Sequence, residues 1–148
     1  MFYAGRGVRQ DRALGLAHFR QAAEQGLPEA QFVLGRIYWA GEGVTASRPI
    51  ALAWYKKAAE QGYAVAQYMM GRLYVEGEAV EQDIGEAVRW YGRAAAQGLA
   101  AAQAAMGLAY EMGYGVIADR GEALRWYGLA AAQRHQGAAA RLQAMRGP

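Results

Sequence analysis

The sequence predicts an all-α fold, a right-handed α-solenoid of antiparallel helix pairs with a repeat of 36 residues. Two observations predict it. Four glycines are each 36 residues apart: Gly5, Gly41, Gly77 and Gly113. An aromatic pair followed by alanines recurs on the same period, at Trp54-Tyr55, Trp90-Tyr91 and Trp126-Tyr127, with a degenerate copy at His18-Phe19. Such self-similarity is typical of solenoids, in which each unit buries its apolar face by stacking on its neighbours.

The period divides this single domain into successive helical hairpins. A partial repeat covers residues 1–26, complete repeats follow at 27–62, 63–98 and 99–134, and a capping helix takes 135–148. We call the first helix of each repeat helix A and the second helix B. The first helix B, from about Arg12 to Gln25, has no complete helix A beside it. We therefore expect either a fragment of a longer array or a second chain, as in a homodimer, that covers this face.

Helix A of the second repeat begins near Pro28, because proline suits the first turn of a helix. Its apolar residues recur at helical spacing and form one face: Ala30, Leu34, Ile37 and Tyr38. Gly41 should end the helix in the left-handed conformation, and the stretch Gly5-Arg6-Gly7 is expected to form the same turn in the first repeat.

Helix B of the second repeat begins near Ser47, a favoured N-cap residue. Its equivalents are also N-cap types: Asp11, Asp83 and Asp119. The pairs Asp83…Glu86 and Asp119…Glu122 fit the reciprocal capping box. The predicted buried face comprises Ala51, Trp54 or Tyr55, Ala58 and Ala59, and Gly62 ends the helix.

Glycines inside the helices form two groups. Small residues at equivalent positions of helix A should let the two helices approach closely: Gly35, Gly71 and Gly107. Gly92 and Gly128 lie inside helix B, where each costs about 1 kcal/mol relative to alanine. A close backbone contact would explain this second group, and plain degeneracy of the repeat is the alternative.

The pattern resembles the Sel-one-like repeat, a helical hairpin related to the tetratricopeptide repeat. The second repeat carries nearly the whole family phrase: Ala30, Leu34-Gly35, Tyr38, Gly41-Glu42-Gly43-Val44, Ala51, Trp54-Tyr55 and Ala58-Ala59-Glu60-Gln61-Gly62, with Ser47 in place of aspartate. The resemblance covers almost the whole chain. It implies an adaptor or scaffold of a kind common in bacteria, without an active site of its own.

The C-terminal end of the chain departs from the family phrase. Ala138…Leu142 continues the stack, but Gln143 replaces the residue equivalent to Gly107, and Arg146 replaces the equivalent of Tyr110. Polar residues at these positions predict a capping helix that faces water.

By analogy with tetratricopeptide stacks, helix A lines the concave side and binds a partner protein or peptide. The expected partner-binding positions are Phe32, Arg36, Trp39, Tyr68, Arg72, Val75, Leu108, Glu111 and Met112. Arg36 and Arg72 occupy equivalent positions beside aromatic residues, which favours an acidic partner. The alternative is that the apolar members pack inside the stack while the arginines are solvated.

Other classes of function are disfavoured. The alternative to an adaptor is a structural module that forms a homo-oligomer through its open N-terminal end. Two histidines without nearby carboxylates, no cysteine and no phosphate loop argue against an enzyme, a metal site or a cofactor. The net charge of +3 favours nucleic acid only weakly, because acidic residues are interspersed among Arg89, Arg93, Arg120 and Arg125.

The compartment is left open by the sequence. No signal peptide or transmembrane segment is recognisable, so cytoplasmic is the default expectation, and periplasmic or secreted stays open for a piece of a longer protein.

Overall fold

The structure is a computed structural model that describes the backbone of residues 3–147 and side chains from Arg12 to Gly147. This part of the chain contains α-helices and no strand, which confirms the all-α class. The helices are α1 (Tyr3–Glu24), α2 (Pro28–Ala40), α3 (Arg48–Glu60), α4 (Ala64–Glu76), α5 (Ile84–Ala96), α6 (Ala100–Met112), α7 (Arg120–Ala132) and α8 (Gln136–Arg146).

The helices fall into two compact units. The first, Met1–Tyr63, contains α1, α2 and α3, and the second, Ala64–Pro148, contains α4 to α8. In the first unit α2 packs against both α1 and α3. In the second unit each helix packs against the next one along the chain. Helices α2, α4 and α6 are helices A, and α3, α5 and α7 are the helices B that follow them.

The turn from helix A to helix B is built from backbone hydrogen bonds and one side-chain cap. Gly41 ends α2 in the left-handed conformation, with φ of 76°. Asp83 caps α5, because its Oδ1 accepts a hydrogen bond from the Glu86 N–H at 3.0 Å. The same bond is made at the predicted N-caps of the other two hairpins, Ser47 and Asp119.

The reciprocal half of the predicted capping box is wrong. The Asp83 N–H already donates to the carbonyl of Tyr74 at 3.0 Å, so it needs no second acceptor. The Glu86 carboxylate instead accepts a hydrogen bond from Arg89 at 2.7 Å. Glu122 pairs with Arg125 in the same way at 2.9 Å. A charge-assisted hydrogen bond to a guanidinium stabilises the carboxylate more than a bond to a backbone N–H that already has an acceptor.

The first helix also departs from expectation. α1 is continuous over Tyr3–Glu24, so Gly5-Arg6-Gly7 forms no turn and Asp11 lies inside the helix rather than at its N-cap. In the later repeats the turn is held by helix A packing on helix B. Continuing the helix keeps the backbone hydrogen bonds that a turn would break.

The core of each hairpin is a tyrosine ring against a glycine. A Cβ atom built on Gly35 would lie 2.6 Å from Cδ1 of Tyr55, and the pairs Gly71–Tyr91 and Gly107–Tyr127 have the same distance. Real Cβ atoms do not approach a ring so closely, so only glycine leaves room for it. The predicted close approach at these glycines is therefore confirmed. Gly128 has no atom within 4 Å of such a Cβ, which favours degeneracy over a close contact there.

The end of helix B is also set by backbone conformation. Gly26, Gly62 and Gly98 take φ between 93° and 96° as predicted. Arg134 occupies the equivalent position in the last repeat with φ of 67°, and Ala79 has φ of 64° in a loop. The left-handed region is costly for residues with a Cβ, by roughly 1 to 3 kcal/mol.

The last helix, α8, begins at a side-chain cap and is held by apolar packing and by the ion pair of Arg141 with Glu111 of α6. His135 begins it, because its Nδ1 accepts a hydrogen bond from the Ala138 N–H at 3.0 Å. Ala138 is buried against Ala123, Tyr127 and Ala130. Gln143 and Arg146 are exposed, as expected for a polar outer face. Arg120 of α7 donates to the carbonyl of Met145 and so satisfies a group at the C-terminal end of the helix.

Candidate functional site

The expected partner-binding positions lie in both units, and each unit is described separately. In the first unit Phe32 is buried, with 9% of its surface exposed, and its ring lies 5.5 Å from that of Tyr55. The expectation that Phe32 lines an exposed surface is thus wrong, because the ring is needed to cover Tyr55. Phe32 belongs to the core of its hairpin and offers little surface to a partner.

Arg36 and Trp39 lie beside the same tyrosine. Arg36 is exposed, and Trp39 is half-buried with its ring centre 6.4 Å from that of Tyr55. The Arg48 guanidinium lies over the Trp39 ring, 4.1 Å from the centre of that ring. Burial raises the pKa of the Tyr55 hydroxyl, and the positive charge of Arg36 partly opposes that shift. Arg36 forms no ion pair with any residue between 12 and 147.

In the second unit, α4 carries an ion pair between two of its own residues. Arg72 donates to Glu76 one helical turn later at 3.2 Å, and both side chains are exposed. Tyr68 is half-buried, with its ring 5.5 Å from Tyr91, and Val75 is exposed. The guanidinium of Arg72 is therefore already engaged, whereas the equivalent Arg36 is not.

On α6 the equivalent positions are apolar. Leu108 and Met112 are one turn apart and expose 43% and 51% of their surface. They lie on the side of α6 opposite the buried residues Ala102 and Met106. Leu108 replaces the arginine found in the two preceding repeats, and Met112 replaces Glu76. The last complete repeat therefore exposes leucine where the other two carry arginine, and methionine where they carry Glu76 and Ala40.

Glu111 takes part in a bridge between helices. It accepts a hydrogen bond from the Tyr127 hydroxyl at 2.7 Å and another from Arg141 Nε at 3.3 Å. These bonds connect α6, α7 and α8, and the Glu111 side chain is largely buried. The contacts give Glu111 a structural role that its spacing alone did not indicate.

A seam of buried glutamines went unnoticed in the sequence. Gln31, Gln67 and Gln103 are buried at the start of each helix A. Each accepts a hydrogen bond from a glutamine at the end of the following helix B, at 2.6 to 2.9 Å: Gln61 to Gln31, Gln97 to Gln67 and Gln133 to Gln103. The amide of Gln103 also donates to the carbonyl of Ala95 in the preceding repeat at 3.4 Å. The sequence feature that indicates this seam is a glutamine that recurs every 36 residues.

The arginines considered for nucleic acid are engaged locally. Arg89 pairs with Glu86, and Arg93 lies 4.9 Å from the ring centre of Trp90. Arg125 pairs with Glu122 and also lies over Trp126. Each of these three arginines therefore has a carboxylate or an aromatic partner within the protein.

Among the described residues, no group of three or more His, Asp or Glu side chains could hold a metal ion. No helix there combines the length and apolar character needed to cross a membrane.

The chain matches a family model described as the Sel1 repeat four times in succession, at residues 1–27, 28–63, 64–99 and 100–135. These boundaries differ by one residue from those read from the glycine spacing. Proteins built from this repeat are generally protein-interaction scaffolds, and the family is non-catalytic. Among curated proteins no match was found.

Solved bacterial structures are similar to this chain. A Sel1 repeat protein from Oxalobacter formigenes is 40% identical, with a TM-score of 0.85, and the match covers 87% of this chain and 97% of that one. A protective antigen with an SLR fold from uropathogenic Escherichia coli strains is 41% identical, with a TM-score of 0.80. That match covers 83% of this chain and 26% of the antigen.

Cysteine rich protein B of Helicobacter pylori shares the fold at 18% identity, with a TM-score of 0.70 over 91% of this chain and 97% of its own. The solenoid class, the repeat length and the helix pairs agree with these structures. With four matched repeats over almost its whole length, the chain belongs to the Sel1 repeat family.

Proposed function

We propose that this chain is a protein-interaction scaffold that binds a partner protein or peptide on the exposed side of its helices A. The observation that carries the proposal is the apolar pair Leu108 and Met112 on α6. Neighbouring exposed apolar side chains on one face of a helix are typical of a surface that another molecule covers. A leucine and a methionine one turn apart suit an apolar anchor, since methionine adapts to irregular surfaces.

A second part of the proposal concerns charge. Arg36 is exposed and free of ion pairs within the described residues, and it lies beside Trp39 and Tyr55. A guanidinium next to aromatic rings is a favourable site for a partner carboxylate. Arg72 is less suitable because Glu76 already neutralises it. We therefore expect acidic groups of a partner to depend on Arg36 more than on Arg72.

The apolar contact is tested with a matched pair of substitutions. Leu108 and Leu129 both expose 43% of their surface, the first on α6 and the second on α7. Tagged wild-type chain, Leu108→Glu and Leu129→Glu are used as baits in bacterial lysate, and retained proteins are quantified by mass spectrometry. We expect a partner that wild type and Leu129→Glu retain equally and that Leu108→Glu retains at least fivefold less.

A partner retained equally by all three baits would contradict the location on helix A. Recovery of the untagged chain alone, with no other protein, would instead favour a self-assembling module. The charge contribution is tested on the partner so identified, by comparing its affinity for Arg36→Glu and Arg72→Glu. Greater loss with Arg72→Glu would contradict the role assigned to Arg36. Circular dichroism of each variant checks that helicity is unchanged.

A further inference from the structure

The helix α8 begins with a side-chain cap that two equivalent helices lack. Its N-cap residue is His135, and the Nδ1 atom of this half-buried imidazole accepts a hydrogen bond from the Ala138 N–H at 3.0 Å. The N-cap residues of α2 and α6 are Leu27 and Leu99, and neither side chain caps its helix. The start of α8 therefore depends on the acceptor nitrogen of one histidine.

Protonation of His135 removes this acceptor. A neutral imidazole has one nitrogen that accepts a hydrogen bond, whereas both nitrogens of the protonated ring donate. The Nδ1–H group would then face the Ala138 N–H, and two donors form no hydrogen bond. The new positive charge would also lie at the positive end of the α8 helix dipole. Because the charge of histidine changes between about pH 5 and 8, mildly acidic solution is sufficient to break the cap.

The helix ends nearest His135 provide no carboxylate that would stabilise the protonated ring. α8 packs against α7 and α6. The first turns of α8 and α6 contain no acidic residue, and the last turn of α7, residues 129–132, is uncharged. Arg134 precedes His135, is exposed and adds a second positive charge. The charged groups of α6 and α7 that contact α8 are Glu111 and Arg120, and both bond to its C-terminal half.

The first half of α8 has few other contacts that hold it in place. Ala138 is the one buried residue of α8, whereas α6 buries five residues. Leu142 and Met145 are half-buried, and together with the ion pair to Glu111 they hold the second half of the helix. The first half is therefore held by Ala138 and by the cap, so losing the cap removes a large part of its attachment.

We propose that α8 is a pH-sensitive segment of this protein. In neutral solution the His135 cap keeps the first turn of α8 packed on α7. Protonation of His135 opens that turn and loosens α8, while the hairpin of α6 and α7 stays folded. Loosening uncovers part of the apolar surface that α7 forms with Ala123, Tyr127 and Ala130. The change is separate from the helix-A surface proposed above, because it needs no partner.

Hydrogen exchange of the full chain tests the proposal. Exchange of backbone amides is followed by mass spectrometry at about pH 7.5 and about pH 5, and each rate is divided by the intrinsic rate at that pH to give a protection factor. We expect protection of the α8 amides to fall by about threefold or more at the lower pH, which is the size of effect expected for loss of an N-cap. Protection of the α6 amides should stay the same.

Two substitutions at the cap separate His135 from other groups that titrate. His135→Asn keeps an N-cap acceptor whose charge does not change with pH, so α8 should stay protected at both pH values. His135→Ala removes the acceptor, so α8 should be poorly protected at both. His18→Asn is the matched control, because His18 is the other histidine of the chain and is exposed on α1. We expect it to behave as wild type.

Three results would overturn the proposal. The first is wild-type α8 protection that is the same at both pH values. The second is an equal fall in His135→Asn, which would assign the pH response to another group such as the Glu111 carboxylate. The third is His135→Ala with wild-type protection of α8 at about pH 7.5, which would show that the cap does not hold the helix.

Discussion

Individual glycines in this chain have opposite energetic roles that their type alone does not reveal. In the hairpin of α6 and α7, Gly107 makes room for the Tyr127 ring, whereas Gly128 faces open space. Glycine lowers helix stability at either position, but only Gly107 is required by packing. The distinction depends on which residue the missing Cβ would meet.

Replacing these two glycines by alanine should therefore change stability in opposite directions. Gly107→Ala brings a methyl group within 2.6 Å of the Tyr127 ring, and we expect the free energy of unfolding to fall by about 1 to 2 kcal/mol. Gly128→Ala should raise it by about 1 kcal/mol through helix propensity. Urea unfolding followed by circular dichroism measures both, and equal effects of the two substitutions would contradict the packing argument.

At the scale of helices, hydrogen bonds between buried glutamines fix how the ends of successive helices meet. Gln103 connects the start of α6 to the end of α7 through Gln133 and to the end of α5 through the Ala95 carbonyl. An amide suits this position because it donates and accepts at once. Removing it leaves a partner without its bond in a buried place.

Gln103→Leu, which keeps the approximate size and removes the hydrogen bonds, should lower the free energy of unfolding by about 1 to 3 kcal/mol. Gln143→Leu is the control, because Gln143 is exposed on α8 and its side-chain amide makes no hydrogen bond with a described residue. Thermal unfolding of both variants measures the difference. If the two were equally stable, the seam would contribute nothing beyond apolar packing.

The helices themselves could largely be predicted from the sequence, because caps and glycine exits repeat with the period. The start of α2 follows from Pro28, and the starts of α3, α5 and α7 follow from the caps Ser47, Asp83 and Asp119. The continuous α1 could not be predicted in this way, because Gly5, Gly7 and Asp11 match the turn and cap positions of the later repeats by residue type, yet the backbone over Tyr3–Glu24 is helical. Phe32 was misplaced for a related reason, since helical spacing cannot tell a ring that covers Tyr55 from one that faces solvent.

On the scale of the whole molecule, buried tyrosines make stability sensitive to alkaline pH. Burial raises the pKa of Tyr55, Tyr91 and Tyr127, and for Tyr91 burial and the neighbouring Tyr68 raise it to about 12. The folded state thus favours the protonated hydroxyl. In the unfolded chain tyrosine ionises near its ordinary pKa of about 10.

Stability should accordingly be complete below pH 10 and decline as the pH rises from about 10 to 12, because the unfolded state then binds fewer protons than the native state. Tyr91→Phe should make this decline smaller. Urea unfolding at a series of pH values, together with tyrosine absorbance titration of the folded protein, measures the effect. An identical alkaline decline in Tyr91→Phe would show that other groups cause it.

The glutamine seam has a consequence for how the gene can change. Each hydrogen-bonded glutamine pair joins two residues whose separation along the chain is the same in every repeat. Unequal recombination that adds or removes 36 codons therefore leaves every pair complete. A duplicated segment then meets the preceding repeat through the bond from its buried glutamine to a backbone carbonyl, as Gln31 bonds to Ala23 and Gln103 to Ala95. Repeat number can thus vary by inheritance without a new interface having to evolve.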